Sequence, residues 1–178
     1  MITFKETGMG TNNQDIINGL QQAIQTESYG HYFYSMAAAT IEDQKGKEIF
    51  KTLAQEELAH MRFLQDQHQS FVEQGKADDA ARLGPQADLS GSSPIFSTAI
   101  KNRISTAHFE MTALSVAINL ELSSEQFYRK QSQAASDPTV AKFFIDLADW
   151  ESGHYHALLR QQEELKQDYW AEAGFAPS

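Results

Sequence analysis

Four glutamates and two histidines carry the chemistry that this sequence can do. Glu57 precedes His60 by three positions and Glu151 precedes His154 by the same interval, which on a helix puts each pair on one face. Glu27 and Glu121 stand upstream of the two pairs, and all four glutamates interrupt apolar stripes, with Ala23, Leu53, Ala117 and Leu147 one turn away. Burying one ionised carboxylate costs several kcal/mol even after relaxation. Four together repel one another, so protons or cations must neutralise them. Two divalent ions would balance four carboxylates, and each would gain one imidazole. Carboxylate oxygens with one nitrogen per metal suit iron or manganese, and zinc can occupy such a site in a purified sample.

The elements that must position these side chains come from an internal repeat. Residues 23–71 align with residues 117–165 at a constant offset of 94 without a gap, with 13 identities in 49 positions. The identities include Ala23/Ala117, Glu27/Glu121, Tyr34/Tyr128, Asp43/Asp137, Phe50/Phe144, Glu57/Glu151 and His60/His154. Each copy reads as two helices joined by a short turn. In the first, Ile16, Leu20, Ala23, Glu27, His31 and Tyr34 recur at three- and four-residue steps. Asp43 can cap the second helix, along which Phe50, Leu53, Glu57, His60, Leu64 and Phe71 share a face. Leu114, Ala117, Glu121 and Tyr128 repeat the first pattern, and Asp137-Pro138 supplies a cap and first-turn proline for the fourth helix. The helix pairs are expected over residues 12–74 and 108–166 of a single domain, 1–178. Residues 75–107 form the crossover, rich in Gly, Pro, Ser and Asp, with a short helix over 96–105. Residues beyond Leu165 read as a frayed end with aromatic anchors. Two helical hairpins joined by one long crossover make an all-α, ferritin-like four-helix bundle.

Composition removes other readings. A chain of 178 residues with 41% apolar content supports one sizeable core. A formal charge of −10 disfavours nucleic acid and anionic membrane surfaces as partners. Absence of cysteine excludes disulfides, thiolate zinc sites and iron–sulfur centres. No stretch approaches the roughly 20 apolar residues of a membrane span, and the N-terminal residues lack the apolar core of a signal peptide. A cytoplasmic protein is the expectation.

The motifs A-x-E-E-x-x-H at Ala54 to His60, L-A-D-W-E-x-x-H at Leu147 to His154, and A-I-x-x-E at Ala23 to Glu27 and Ala117 to Glu121 resemble those of the rubrerythrin branch of the ferritin-like superfamily. The resemblance spans roughly residues 12–166. It implies two iron ions held by Glu27, Glu57, His60, Glu121, Glu151 and His154. Glu57 with Glu121 or Glu151 would bridge, while Glu27, His60 and His154 would be terminal. It also implies reaction with hydrogen peroxide or dioxygen, and a homodimer. Rubrerythrins proper carry a four-cysteine rubredoxin domain, so a chain without cysteine would draw electrons from an external donor protein. They also carry a second glutamate on the third helix where this sequence has Ser124. Tyr34 and Tyr128, two turns past Glu27 and Glu121, could bond carboxylates. His31 and Glu125, one turn past the same glutamates, are candidates for extra ligands or for orienting them. Gly30, aligned with Ser124, and Gly153, aligned with Ala59, leave room for close helix contact or for a pocket admitting a small oxidant. Alternative functions are iron binding and storage in a ferritin-like protein, or oxygenation of an organic substrate at the same centre.

Overall fold

Caps and periodicity divide the chain into four long helices, and the computed structural model describes residues 9–84, 87, 89 and 95–172 of it. Helix α1 spans Met9–Thr40, α2 Gln44–Gln74, α3 His108–Ala134 and α4 Pro138–Glu172, with a 3₁₀ helix over Thr98–Thr106 before α3. Among the described residues there is no strand. Helices α1 and α2 pack as one hairpin and α3 and α4 as another, matching the two copies of the repeat.

The helix ends follow the sequence signals. Asp43 caps α2 by accepting the Gly46 N–H at 2.9 Å, and Asp137 accepts the N–H groups of Thr139 and Val140 at the start of α4. Gly75, at φ 69°, closes α2 in the left-handed conformation, its N–H bonded to the Phe71 carbonyl. Two expectations are corrected. The short helix of the crossover is 3₁₀ and lies over 98–106 rather than 96–105. The segment after Leu165 continues α4 to Glu172 instead of fraying, because Lys, Gln, Glu, Trp and Ala sustain a helix and no Gly or Pro interrupts them until Gly174. The remainder of the expected frayed end lies outside the described residues.

The crossover is held by a pair of equivalent side chains, Gln67 and Gln161. Gln67 both donates to the Asp78 carbonyl at 2.9 Å and accepts the Asp78 N–H at 3.0 Å, fixing the segment just after α2. Gln161 accepts the Phe96 N–H at 3.0 Å, fixing the far end. Phe96 then stacks on Phe50, filling the space left by Gly46, where a Cβ would run into the Phe96 ring.

Two apolar clusters form the core. One gathers Tyr34, Phe50, Leu53, Ile100, Leu114, Ala117 and Leu158; the other gathers Leu20, Ala23, Leu64, Phe71, Tyr128, Phe144 and Leu147. On every helix the candidate ligands fall between a residue of one cluster and a residue of the other. Glu27 lies between Ala23 and Tyr34, and Glu151 and His154 lie between Leu147 and Leu158. The bundle therefore sandwiches a polar layer between two dry ones.

Candidate metal centre

The repeat makes this polar layer two-fold, and the structure brings all six candidate side chains into it. Glu27, Glu57, His60, Glu121, Glu151 and His154 are each no more than 5% exposed. Their ligand atoms form two groups, Glu27, Glu57, His60 and Glu151 in one and Glu57, Glu121, Glu151 and His154 in the other, with the atoms of each group within 4.8 Å of one another. Glu57 and Glu151 belong to both. They are the repeat-equivalent pair common to the two groups.

Each histidine turns Nδ1 toward the carboxylates. His60 Nδ1 lies 3.2 Å from Glu27 Oε2 and 3.2 Å from Glu151 Oε1, and His154 Nδ1 lies 3.7 Å from Glu121 Oε1 and 3.6 Å from Glu151 Oε2. One ring proton satisfies one acceptor only. Both Glu151 oxygens, both His154 nitrogens and His60 Nε2 are buried without a hydrogen-bond partner. Buried polar atoms are seldom orphaned, and those facing the carboxylate layer are the atoms that a coordinated cation would satisfy.

Two tyrosines close the layer from above and below, each reaching from one repeat to the other. The Tyr34 hydroxyl donates to Glu121 Oε1, and the Tyr128 hydroxyl donates to Glu27 Oε1. Burial, followed by the charges of Glu121 and Glu57, pushes the Tyr34 hydroxyl well above its ordinary pKa; burial and the charge of Glu27 do the same to Tyr128. Both phenols remain protonated donors that orient the unshared glutamates.

The titration pattern shows how the metal-free layer is neutralised. Burial, then the charges of Glu27 and Glu151, push the Glu57 carboxyl well above the carboxylate range. Burial and the Glu151 charge raise Glu121 to about 8. Burial would lower the His60 imidazolium, but Glu27 and Glu151 outweigh it and raise its pKa to about 10; His154 is raised likewise against burial, chiefly by Glu121. Burial opposes the charge of Glu151, yet the proximity of Glu121, His154 and His60 holds its pKa well below the usual value. Protons occupy the layer at neutral pH, and cations would displace them. Donor set, burial and orphaned atoms together fit two ions of the iron or manganese type.

The secondary candidates fall elsewhere. His31, half-buried, has Nδ1 2.6 Å from the Ala54 carbonyl, to which it can donate, and Glu125 accepts from Arg129 Nε at 2.9 Å. Neither joins the two groups. At Gly30, a Cβ would stand 2.8 Å from Glu57 Oε2 and 2.9 Å from Glu57 Cδ; the missing side chain is what lets Glu57 lie where both groups share it. A cavity of about 110 Å³ opens beside it, lined by Tyr29, Gly30, Glu57, Glu121, Ser123 and Ser124 among others. Tyr29 is 72% exposed while Glu57 and Glu121 are buried, so the cavity runs from the surface to the carboxylates. A larger hollow of about 410 Å³, between Phe63, Arg82, Lys142 and Phe143, touches none of the six.

One acid near the layer carried no signal in the repeat. Glu56 is 6% exposed and lies 2.8 Å from His154 Nε2. Its only sequence mark is that it makes Glu57 the second of two adjacent glutamates.

The rubrerythrin family model matches residues 18–113, more than half of the chain, and the matched segment carries Glu27, Glu57 and His60. Glu121, Glu151 and His154 lie beyond it and are related to the first three by the internal repeat. Comparison with curated proteins and with solved structures yields no significant match.

Proposed function

The chain belongs to the rubrerythrin family, and on that footing we propose that it is a di-iron oxidoreductase that reduces a small oxidant, hydrogen peroxide first and dioxygen second, at the expense of an external electron donor. The observation that carries this reading is the pair of buried ligand groups sharing Glu57 and Glu151, beside a cavity reaching in from the surface. Glu27 and His60 would hold one ion, Glu121 and His154 the other, with Glu57 and Glu151 between them. Two ferrous ions held there would supply the two electrons that, with two protons, turn one hydrogen peroxide into two waters, and an external donor would return them.

The chain's own residues set the conditions for that chemistry. Tyr34 and Tyr128 fix the unshared glutamates from outside, and the two apolar clusters close the layer on either side, leaving the cavity beside Gly30 as a way in. Ser124, standing where the related chains carry a glutamate, helps line the cavity. At about 110 Å³, compared with roughly 30 Å³ per water molecule in the liquid, the cavity has room for peroxide or dioxygen.

Stopped-flow mixing of the iron-loaded, reduced protein with hydrogen peroxide tests the reading. Oxidation of the native chain is expected to exceed that of Glu57→Ala by at least about 100-fold, the change removing a ligand common to both ions. Equal rates would refute it.

A further inference from the structure

The two ends of the layer are equivalent in their ligands but not in what stands behind the histidines. The residue before each shared glutamate, Glu56 in the first copy and Trp150 in the second, reaches across to the histidine of the opposite hairpin. Glu56 Oε2 lies 2.8 Å from His154 Nε2, within ion-pair distance, and neither atom is hydrogen-bonded to any other group. The Trp150 ring meets the His60 ring edge-on, with centroids 4.7 Å apart, and His60 Nε2 faces no acceptor. Glu56 is also anchored from behind, because its Oε1 accepts the backbone N–H of Ala87 in the crossover.

A carboxylate on the outer nitrogen of a ligating histidine fixes the tautomer and ring orientation and makes the inner nitrogen a better donor to metal. We propose that Glu56 is a positioning residue for His154, accepting its Nε2 hydrogen so that Nδ1 points at the cation, and that the ion at the His154 end is therefore bound more tightly than the ion at the His60 end. The inference rests on the six-residue dinuclear reading. It adds that the centre is asymmetric and that the asymmetry arises at the repeat position where Glu56 aligns with Trp150. The bond to Ala87 ties the crossover to the tighter end.

Anaerobic titration of the metal-free, full-length protein with cobalt(II), followed by visible absorption and by calorimetry, tests this without turnover. The native chain is expected to fill in two resolved steps. Glu56→Ala should weaken one step by about 10- to 100-fold and leave the other within about twofold, while Glu56→Gln, which keeps the volume and an acceptor oxygen, should lose less. In a His154→Ala background the Glu56 change should have no further effect, since the two would act through one bond. If the native chain and both Glu56 variants bind two ions alike, the inference falls and the dinuclear reading stands. If Glu56→Ala and Glu56→Gln weaken both steps equally, Glu56 supports the fold and not His154, and the inference also falls. A native chain that takes up no cobalt overturns both.

Discussion

Gly30 decides more at the centre than its size suggests. A helix interior normally favours alanine over glycine by about 1 kcal/mol, so Gly30→Ala should help α1 as an isolated helix. In the folded chain the new Cβ would sit 2.8 Å from Glu57 Oε2, closer than carbon and oxygen pack, and it would narrow the cavity at its inner end. The expected outcome is a protein whose melting temperature without metal changes little but whose affinity for both ions drops by at least about tenfold, because Glu57 serves both groups. Isothermal titration calorimetry reads the second quantity and differential scanning calorimetry the first. Unchanged affinity for both ions would show that Glu57 is not held where both groups meet. The six buried residues were legible in the sequence because a carboxylate on an apolar stripe must be neutralised, and four of them repeating at one offset with two histidines point to cations. Glu56 was not: its partner, His154, sits on the other hairpin, and no periodicity reveals a contact across the bundle.

Asp43 shows how a helix cap in this fold reaches beyond its own helix. Its carboxylate accepts the Gly46 N–H at 2.9 Å, the Ser97 N–H at 3.0 Å and the Ser97 hydroxyl, joining the start of α2 to the end of the crossover. Burial alone would raise its pKa, but the bonds from Ser97 and Gly46, with Arg103 nearby, hold it below the usual value. A depressed carboxylate contributes stability that is present above its unfolded pKa of about 3.9 and lost as pH falls through the lower folded value. Asp43→Ala should therefore destabilise the protein by about 1–2 kcal/mol at pH 7, with the difference from the native chain shrinking in melts below about pH 3. A difference that persisted unchanged into acid would remove the charge from the account of this cap. The four helices themselves were readable from spacing and caps. The end of α4 lies beyond the expected Leu165 because Lys166 to Glu172 contain no helix breaker. The anchoring of the crossover by Gln67 and Gln161 was hidden for another reason: their identity in the repeat showed equivalence but not that both would turn toward the connecting chain.

Across the whole molecule, the buried layer makes stability depend on pH and on metal together. The folded-state pKa of Glu121, about 8, exceeds its unfolded value of about 4.3, so ionising it costs stability progressively as pH rises between the two. The His60 value of about 10 also lies above its unfolded value of about 6.5, so its contribution is complete below that value and is lost as pH rises toward 10. Both groups act in the same direction. The metal-free protein should melt at least about 5 °C lower at pH 10 than at pH 6, whereas iron or manganese, replacing the protons, should flatten the dependence. Calorimetry with and without chelator checks this, and a metal-free melting temperature that rises over that range would contradict the proton-filled layer. Charge at the same scale bears on the donor: a chain of net charge −10 would attract a basic redox protein at long range.

The measurement closest to the central claim is anomalous diffraction at the iron edge from crystals of the anaerobically iron-loaded protein. Two peaks are expected, one among Glu27, Glu57, His60 and Glu151 and the other among Glu57, Glu121, Glu151 and His154, with Glu57 and Glu151 touching both. Crystals loaded with iron that show no peak inside the bundle, or one on its surface alone, would contradict the account.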